Sequence, residues 1–308
     1  MYDLLVITGP TATGKTALGV EAAQVLNGEV VSADSMQIYR GMDIGTAKPT
    51  AEEMRGVPHH MLDVADPRED FSAAKYAAMA ADCVEDIRKR GKLPIVVGGT
   101  GLYIDGLLRG TEYAAAPDDP ALREELEAEY DAIGGDAFRE KLRAVDPARA
   151  EKLAPGDKKR LVRAMEVYIL TGETISDHDA RSAQTPPRYA ALKLALDFRD
   201  RETLYARIDR RAAKMFDDGL ADEVRALLDA GVPLDGTAMQ AIGYKETAAY
   251  LRGEVGLADA VELVQRRSRQ YAKRQLTWLR RDDSVRWIRW ENEPNIQTIR
   301  QVSTFFRG

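Results

Sequence analysis

Leu4–Thr8 is a run of apolar and β-forming positions with no polar alternation, the pattern of a strand covered on both faces. A Gly-rich turn follows. Leu18, Ala22, Val25 and Leu26 then fall on one stripe of a helix predicted from about Lys15 to Leu26. Glu29–Ala33 reads as a second strand. Ser72 is placed to cap an Ala-rich helix over about Ala73–Lys89, which Gly91 can end in a left-handed conformation. Pro94–Val97 gives a third buried strand. Strand–helix–strand order with hydrophobic strands predicts an α/β fold, a parallel sheet with helices on both faces.

The pattern changes at Ala114-Ala115-Ala116-Pro117-Asp118-Asp119-Pro120, which reads as a linker. From about Ala121 to Ile175 only helical periodicity is present. Gln184-Thr185-Pro186-Pro187 is a second Pro-rich break. Beyond it Leu192, Leu194, Leu196 and Phe198 alternate with Lys193, Ala195 and Asp197, a strand signature. This predicts a discontinuous core, residues 1–115 and 190–308, interrupted by a small all-helical insertion, residues 116–189. The alternative is that 121–183 merely extends the core with helices. From Asp200 to about Leu279 the chain reads almost wholly helical.

Composition narrows the function. The 308 residues carry 44 Lys and Arg against 50 Asp and Glu, a net charge of −6. A protein that coats nucleic acid by bulk positive charge is excluded, so any nucleic-acid contact must come from a local patch. A single cysteine, Cys83, excludes an internal disulfide and a Cys₂His₂ or Cys₄ zinc module. No stretch approaches the roughly 20 apolar residues of a membrane span. Met1-Tyr2-Asp3 carries no positive run. A soluble cytoplasmic protein with no membrane partner is expected.

Gly9-Pro10-Thr11-Ala12-Thr13-Gly14-Lys15-Thr16 matches the phosphate-binding P-loop, G-x-x-x-x-G-K-[ST], between a predicted strand and a predicted helix. Gly9 and Gly14 let the backbone curl so that successive N–H groups face one anion. The helix start adds its positive dipole end. Lys15 reaches the terminal phosphate, and the Thr16 hydroxyl is a hard oxygen suited to Mg²⁺. The motif implies two linked phosphates and leaves open which molecule carries them. Pro94–Val97 ends in Gly98-Gly99-Thr100, without the acid that an ATP-hydrolysing site places there. The second strand does lead into an acid, Asp34. Neighbouring parallel strands share one crevice at their carboxyl ends, so Asp34 is expected near the cradle, as a base for a second substrate. The alternatives are a helix cap or an acid that holds Mg²⁺ through water.

Arg266, Arg267, Arg269, Lys273, Arg274, Arg280 and Arg281 fall in a stretch with no acid. Arg266, Arg269, Lys273 and Arg280 lie near one helical face, with Tyr271, Leu276 and Trp278 as apolar anchors. Such a face suits nucleic-acid phosphates, the alternative being a solvated helix surface. Lys158-Lys159-Arg160 with Arg163 forms a second basic cluster. His59-His60 would point apart on a strand, so a structural or substrate-loop role is expected there rather than a metal site. His178 reads as solvated, and Trp287 and Trp290 as packing residues.

The P-loop octet, Asp34-Ser35-Met36-Gln37-Ile38-Tyr39, Gly41–Pro49 and Gly98–Tyr103 together resemble the tRNA dimethylallyltransferases, also called tRNA isopentenyltransferases. Gln240–Lys245 and Arg269–Trp278 extend the resemblance over essentially the whole chain. It implies that the P-loop, Gly9 to Thr16, receives the pyrophosphate of dimethylallyl diphosphate rather than ATP. The five-carbon group then moves to N6 of adenine 37 beside the tRNA anticodon. It implies that Asp34 is the general base and that Lys15, Thr16, Thr100 and Arg211 grip the diphosphate, Thr16 also holding Mg²⁺. Contact with the tRNA anticodon stem-loop is implied for Asp34, Ser35, Met36, Gln37, Thr100 and Arg123. It is implied also for Lys159, Arg160, Leu161, Val162 and Arg163, for Gln240, Gly243, Tyr244 and Lys245, and for Arg269, Lys273 and Arg274. A monomer is expected. The competing readings are a prenyltransferase acting on free AMP or ADP, a small-metabolite kinase, and a non-catalytic RNA-binding module.

Overall fold

In the computed structural model the described residues are 2–110, 119–295 and Val302. The chain divides into two compact units, Met1–Leu108 with Arg188–Gly308, and Arg109–Pro187. The first unit opens with β1 (Leu4–Thr8), α1 (Lys15–Leu26), β2 (Gly28–Ser32), α2 (Ala51–Met54), β3 (His59–His60), α3 (Ala73–Lys89), β4 (Leu93–Val97) and α4 (Gly101–Arg109). The second unit holds α5 (Pro120–Ile133), α6 (Gly135–Arg143), α7 (Pro147–Lys152), α8 (Lys158–Thr171) and α9 (Ile175–Gln184). The first resumes with β5 (Ala191–Phe198), α10 (Arg201–Asp217), α11 (Leu220–Asp229), α12 (Tyr244–Leu251), α13 (Leu257–Leu279) and β6 (Val285–Trp290).

The sheet runs β3-β2-β4-β1-β5-β6, and every pairing is parallel. Alternate residues of the apolar strands feed opposite faces. Leu4 and Val6 of β1 pack with Val31, Val96 and the α3 residues Tyr76 and Val84. Leu5 and Ile7 pack on the other side with Ile95, Leu18 of α1, Ile208 of α10 and Leu276 of α13. Both faces being covered is why these strands read as continuous hydrophobic runs. Parallel order also sets the carboxyl ends of β1, β2 and β4 along one edge, where a ligand crevice forms.

Two strands go beyond the expected elements. β3 is only two residues long. β6 was hidden because exposed Arg286 shares a strand face with Ile288 and Trp290, which spoils the period-2 pattern. β3 explains His59-His60. His60 Nε2 lies 2.8 Å from Glu29 Oε2, and His59 Nδ1 lies 2.8 Å from Val57 O. Glu29, 2% exposed, also takes Arg90 Nη2 and Lys92 Nζ, each at 2.7 Å. Hydrogen bonds from Arg90 first, then from Lys92 and His60, hold its carboxyl far below the usual range. Among the described residues no group of three or more His, Cys, Asp or Glu could hold a metal ion, and no helix is long and apolar enough to cross a membrane.

Residues 114–118 of the Pro-rich stretch lie outside the described residues. Asp119 and Pro120 are described, and they begin α5: the Asp119 side chain accepts Leu122 N–H at 3.0 Å. The second unit closes its own core around Leu126, Phe138, Leu142, Leu161 and Met165. Leu161 and Val162, expected to meet tRNA, are 0% and 2% exposed. They face inward from α8 and are core residues instead. Fully buried Glu166 accepts Arg123 Nη2 and Arg163 Nη1, both at 2.8 Å. Those two cations are thus held to an internal carboxylate, whereas Lys159 and Arg160 stand exposed. His178 is also corrected: α9 turns it inward, leaving it 8% exposed.

Candidate active site

The P-loop joins β1 to α1. Gly9 has φ of 138°, and a Cβ there would stand 2.4 Å from Leu196 O of β5. Gly14 has φ of 82° immediately before α1, and Ala12 shares the left-handed region at 65°. The carbonyls are held from the protein side. Arg207 Nε donates to Ala12 O at 3.1 Å, and Trp290 Nε1 to Thr13 O at 3.0 Å. Trp290 is thus a packing residue beneath the loop. The N–H groups of Ala12, Thr13, Gly14, Lys15 and Thr16 have no partner among the described residues. Together with the start of α1 they form an anion-binding concavity.

Asp34 follows β2, and its two oxygens divide the roles that the sequence left open. Oδ1 accepts Met36 N–H at 2.9 Å and Gln37 N–H at 3.4 Å, a local cap. Oδ2 has no partner among the described residues. The carboxylate lines a cavity of about 470 Å³ together with the P-loop, Arg211 of α10 and Glu53 of α2. Burial pushes the Lys15 ammonium down to about 7, Arg211 pushes it the same way, and Asp34 opposes them. Burial also lowers Arg211, against the pull of Asp34 and Glu53. Lys15 Nζ donates to Pro10 O at 2.7 Å.

The loop after β4 is glycine-rich for packing reasons. A Cβ on Gly98 would meet Ala33 O at 2.2 Å, one on Gly99 would meet Gln275 Nε2 at 2.2 Å, and one on Gly101 would meet the Trp278 ring at 2.4 Å. Thr100 N–H donates to Ala33 O at 3.1 Å, and its Oγ1 accepts Ser35 N–H at 3.1 Å. Thr100 therefore ties the β4 loop to the loop that carries Asp34. Ser35, Met36 and Gln37 all line the cavity. The Gln37 carboxamide is engaged internally, by Ser32 Oγ at 3.0 Å and by Thr46 O and Ala47 O at 3.3 and 3.2 Å.

Residues 41–49 and 240–245 form further walls. Glu223 of α11 accepts the N–H groups of Asp43, Ile44 and Gly45 at 2.9, 2.7 and 3.2 Å, and the Tyr244 hydroxyl at 2.5 Å. Tyr244 is 0% exposed, and its ring fills the space that a side chain on Gly45 would need. Gly243, also buried, has φ of 100° and caps α12. Tyr244 and Gly243 therefore support the wall from behind, correcting their expected contact with tRNA. Gln240 lines the cavity, and its Oε1 accepts exposed Lys245 Nζ at 3.0 Å.

Helix α13 supplies Gln275, named above only as part of the Arg269–Trp278 stretch, beside the expected Tyr271 and Arg274. Tyr271 and Gln275 line the cavity, as does exposed Arg274, whose guanidinium carbon lies 5.5 Å from the Tyr271 ring centroid. Burial, reinforced by Asp34, pushes the Tyr271 hydroxyl up to about 12. The signal was present. Buried Ala272, Leu276 and Leu279 mark the inward stripe of α13, and Gln275 is a polar residue on it. The outward side keeps Arg266, Lys273 and Arg274 exposed. Arg269 is paired with Asp209, so the expected positive face is narrower than its residue count.

The comparisons agree with this architecture. The family model described as IPP transferase matches residues 37–282. A tRNA dimethylallyltransferase of Geobacter sulfurreducens is 46% identical over 305 residues, 99% of this chain and 97% of that protein. The crystal structure of the full-length tRNA isopentenylpyrophosphate transferase of Bacillus halodurans has a TM-score of 0.74 and 43% identity, over 99% of this chain and 95% of that one. A eukaryotic dimethylallyltransferase acting on tRNA has a TM-score of 0.81 and 29% identity, over 98% of this chain and 77% of that one. An unpartnered row of amides, two half-buried cations and a half-open carboxylate in one cavity, on a sheet shared with these proteins, place the chain in the tRNA dimethylallyltransferase family.

Proposed function

We propose that this chain transfers the dimethylallyl group of dimethylallyl diphosphate to N6 of adenine 37, beside the anticodon of tRNA. The observation that carries the reading is the sharing of one cavity by the P-loop amides and the unpartnered Oδ2 of Asp34. The N6 lone pair attacks C1 of the allylic group, and the C1–O bond breaks with its electron pair leaving on diphosphate. The N6 proton passes to Asp34 Oδ2. Lys15, Arg211 and the amides of residues 12–16 stabilise the charge that grows on the leaving group. The base is stacked within its loop, so it has to be displaced into the cavity to meet Asp34.

Mg²⁺ fits these residues as a companion of the diphosphate. Thr16 lines the cavity and brings one hard oxygen, and no all-protein acidic cage exists among the described residues. That suits an ion that keeps most of its ligands as phosphate oxygens and water. When bound, it would neutralise part of the diphosphate charge, with Thr16 as its protein ligand. Action as a monomer is proposed.

Exposed Lys273 and Arg274 on α13, and Lys159 and Arg160 on α8, are proposed to meet tRNA phosphates. Charge reversal at Lys273 and Arg274 together is expected to raise KM for tRNA by about tenfold to a hundredfold. Kd for dimethylallyl diphosphate should change far less. Steady-state kinetics with each substrate varied in turn check this, and equal losses for both substrates would refute the assignment. The activity itself is tested by incubating the protein with labelled dimethylallyl diphosphate and, in separate reactions, tRNA, AMP, ADP and ATP. Label is expected in tRNA alone. Label in AMP or ADP would instead establish a mononucleotide prenyltransferase.

A further inference from the structure

The P-loop is divided into a donating half and a silent half. Residues 12–16 present N–H groups without partners among the described residues. At residues 10 and 11 the supply stops. Pro10 has no N–H. Thr11 N–H donates to Gln275 Oε1 at 3.1 Å. Gln275 is 7% exposed, and its Nε2 donates to Gly99 O at 2.9 Å. Both ends of the carboxamide are engaged, so it cannot turn to release Thr11 without breaking its bond to Gly99. The fit is close enough that Gly99 has no room for a Cβ. Pro10 O, in turn, is an acceptor, taken by Thr13 Oγ1 at 2.8 Å and Lys15 Nζ at 2.7 Å. An anion reaching past residue 12 would find no free N–H donor at residues 10 and 11.

We propose that Gln275 is a specificity-determining residue that confines the cradle to two linked phosphates. By holding Thr11 N–H it withdraws the backbone donor that a third phosphate would need. The inference rests on the reading of the cradle as a diphosphate site and goes beyond it, because the G-x-x-x-x-G-K-[ST] pattern serves diphosphates and triphosphates alike. It gives α13 a second task. The helix that exposes Lys273 and Arg274 also sets how long a phosphate chain the P-loop accepts.

The test compares binding of inorganic pyrophosphate and inorganic tripolyphosphate, each with Mg²⁺, by calorimetry on the full chain. Wild type is expected to prefer pyrophosphate. Gln275→Met keeps the length and bulk of the side chain but forms neither hydrogen bond. It is expected to shift the affinity ratio towards tripolyphosphate by about tenfold, the worth of one charge-assisted hydrogen bond. A ratio unchanged in the variant, with pyrophosphate still bound, overturns the role of Gln275 and leaves the diphosphate reading standing. A wild type that does not bind pyrophosphate overturns both. A second measurement needs no variant. In amide NMR of the wild type, the resonances of Ala12 and Gly14 should move on addition of pyrophosphate, and that of Thr11 should move least of the loop. A leading shift at Thr11 overturns the proposal.

Discussion

Replacing Asp34 by asparagine is expected to lower kcat by about a thousandfold, within the range of ~10² to 10⁴ for a positioned general base. Asparagine is the informative substitution because of how the carboxylate is held. Its carbonyl oxygen can take over the N–H groups of Met36 and Gln37 that Oδ1 now accepts, so the loop keeps its shape. What disappears is the proton acceptor at Oδ2 and one negative charge. Loss of that charge also removes the partner that opposes the depression of Lys15, so the assay belongs at saturating dimethylallyl diphosphate, near neutral pH. Under those conditions single-turnover kinetics isolate the chemical step, and tRNA affinity, measured separately, should stay within about threefold. An asparagine variant that turns over at close to the wild-type rate would remove Asp34 from the chemistry and leave it a cap.

The sheet and the cradle were legible because each rests on a local rule. β1 and β4 are short apolar runs bounded by turn residues, and β2 keeps Val30 and Val31 on its two faces, the pattern of strands covered on both sides. The P-loop carries its own context, a strand before and a helix after. Asp34 could be placed beside it by strand order alone. What could not be read depends on which side of a helix meets the rest of the protein. Leu161 and Val162 sit within one turn of exposed Lys159 and share its segment, yet they close a core. Tyr244 lies in a string that looks like a substrate loop, but Glu223, 21 positions away, draws it inward. Gln275 is the sharpest case. Its effect falls on Thr11, 264 positions earlier, and only the packing of α13 against the Gly98–Gly101 loop brings the two together. Short-range patterns report segments, whereas these roles arise from contacts between segments distant in the chain.

Binding of dimethylallyl diphosphate is expected to take up a proton at alkaline pH, through Lys15. In the free protein, burial and Arg211 bring its ammonium down to about 7, so at pH 8 the amine is mostly neutral. An arriving diphosphate places negative charge against it and raises its pKa. The sign follows. Below pH 7 Lys15 is already charged in both states, and its contribution to binding is flat. Between pH 7 and its pKa in the complex, each binding event has to protonate the amine, so this contribution weakens about tenfold for each unit of rising pH. Calorimetry at pH 8 in buffers of different ionisation enthalpy should therefore give an uptake of most of a proton for the wild type. Lys15→Arg, charged throughout, should give almost none, and comparison with it subtracts the ionisation of the diphosphate itself. Lys15→Met should lose about 10² to 10³ in kcat/KM, because the cation that meets the departing oxygen is gone. The bond from Lys15 Nζ to Pro10 O adds a structural consequence, since the ammonium has to leave that carbonyl to follow the charge. Equal proton uptake by wild type and Lys15→Arg would show that Lys15 is already charged in the empty cavity.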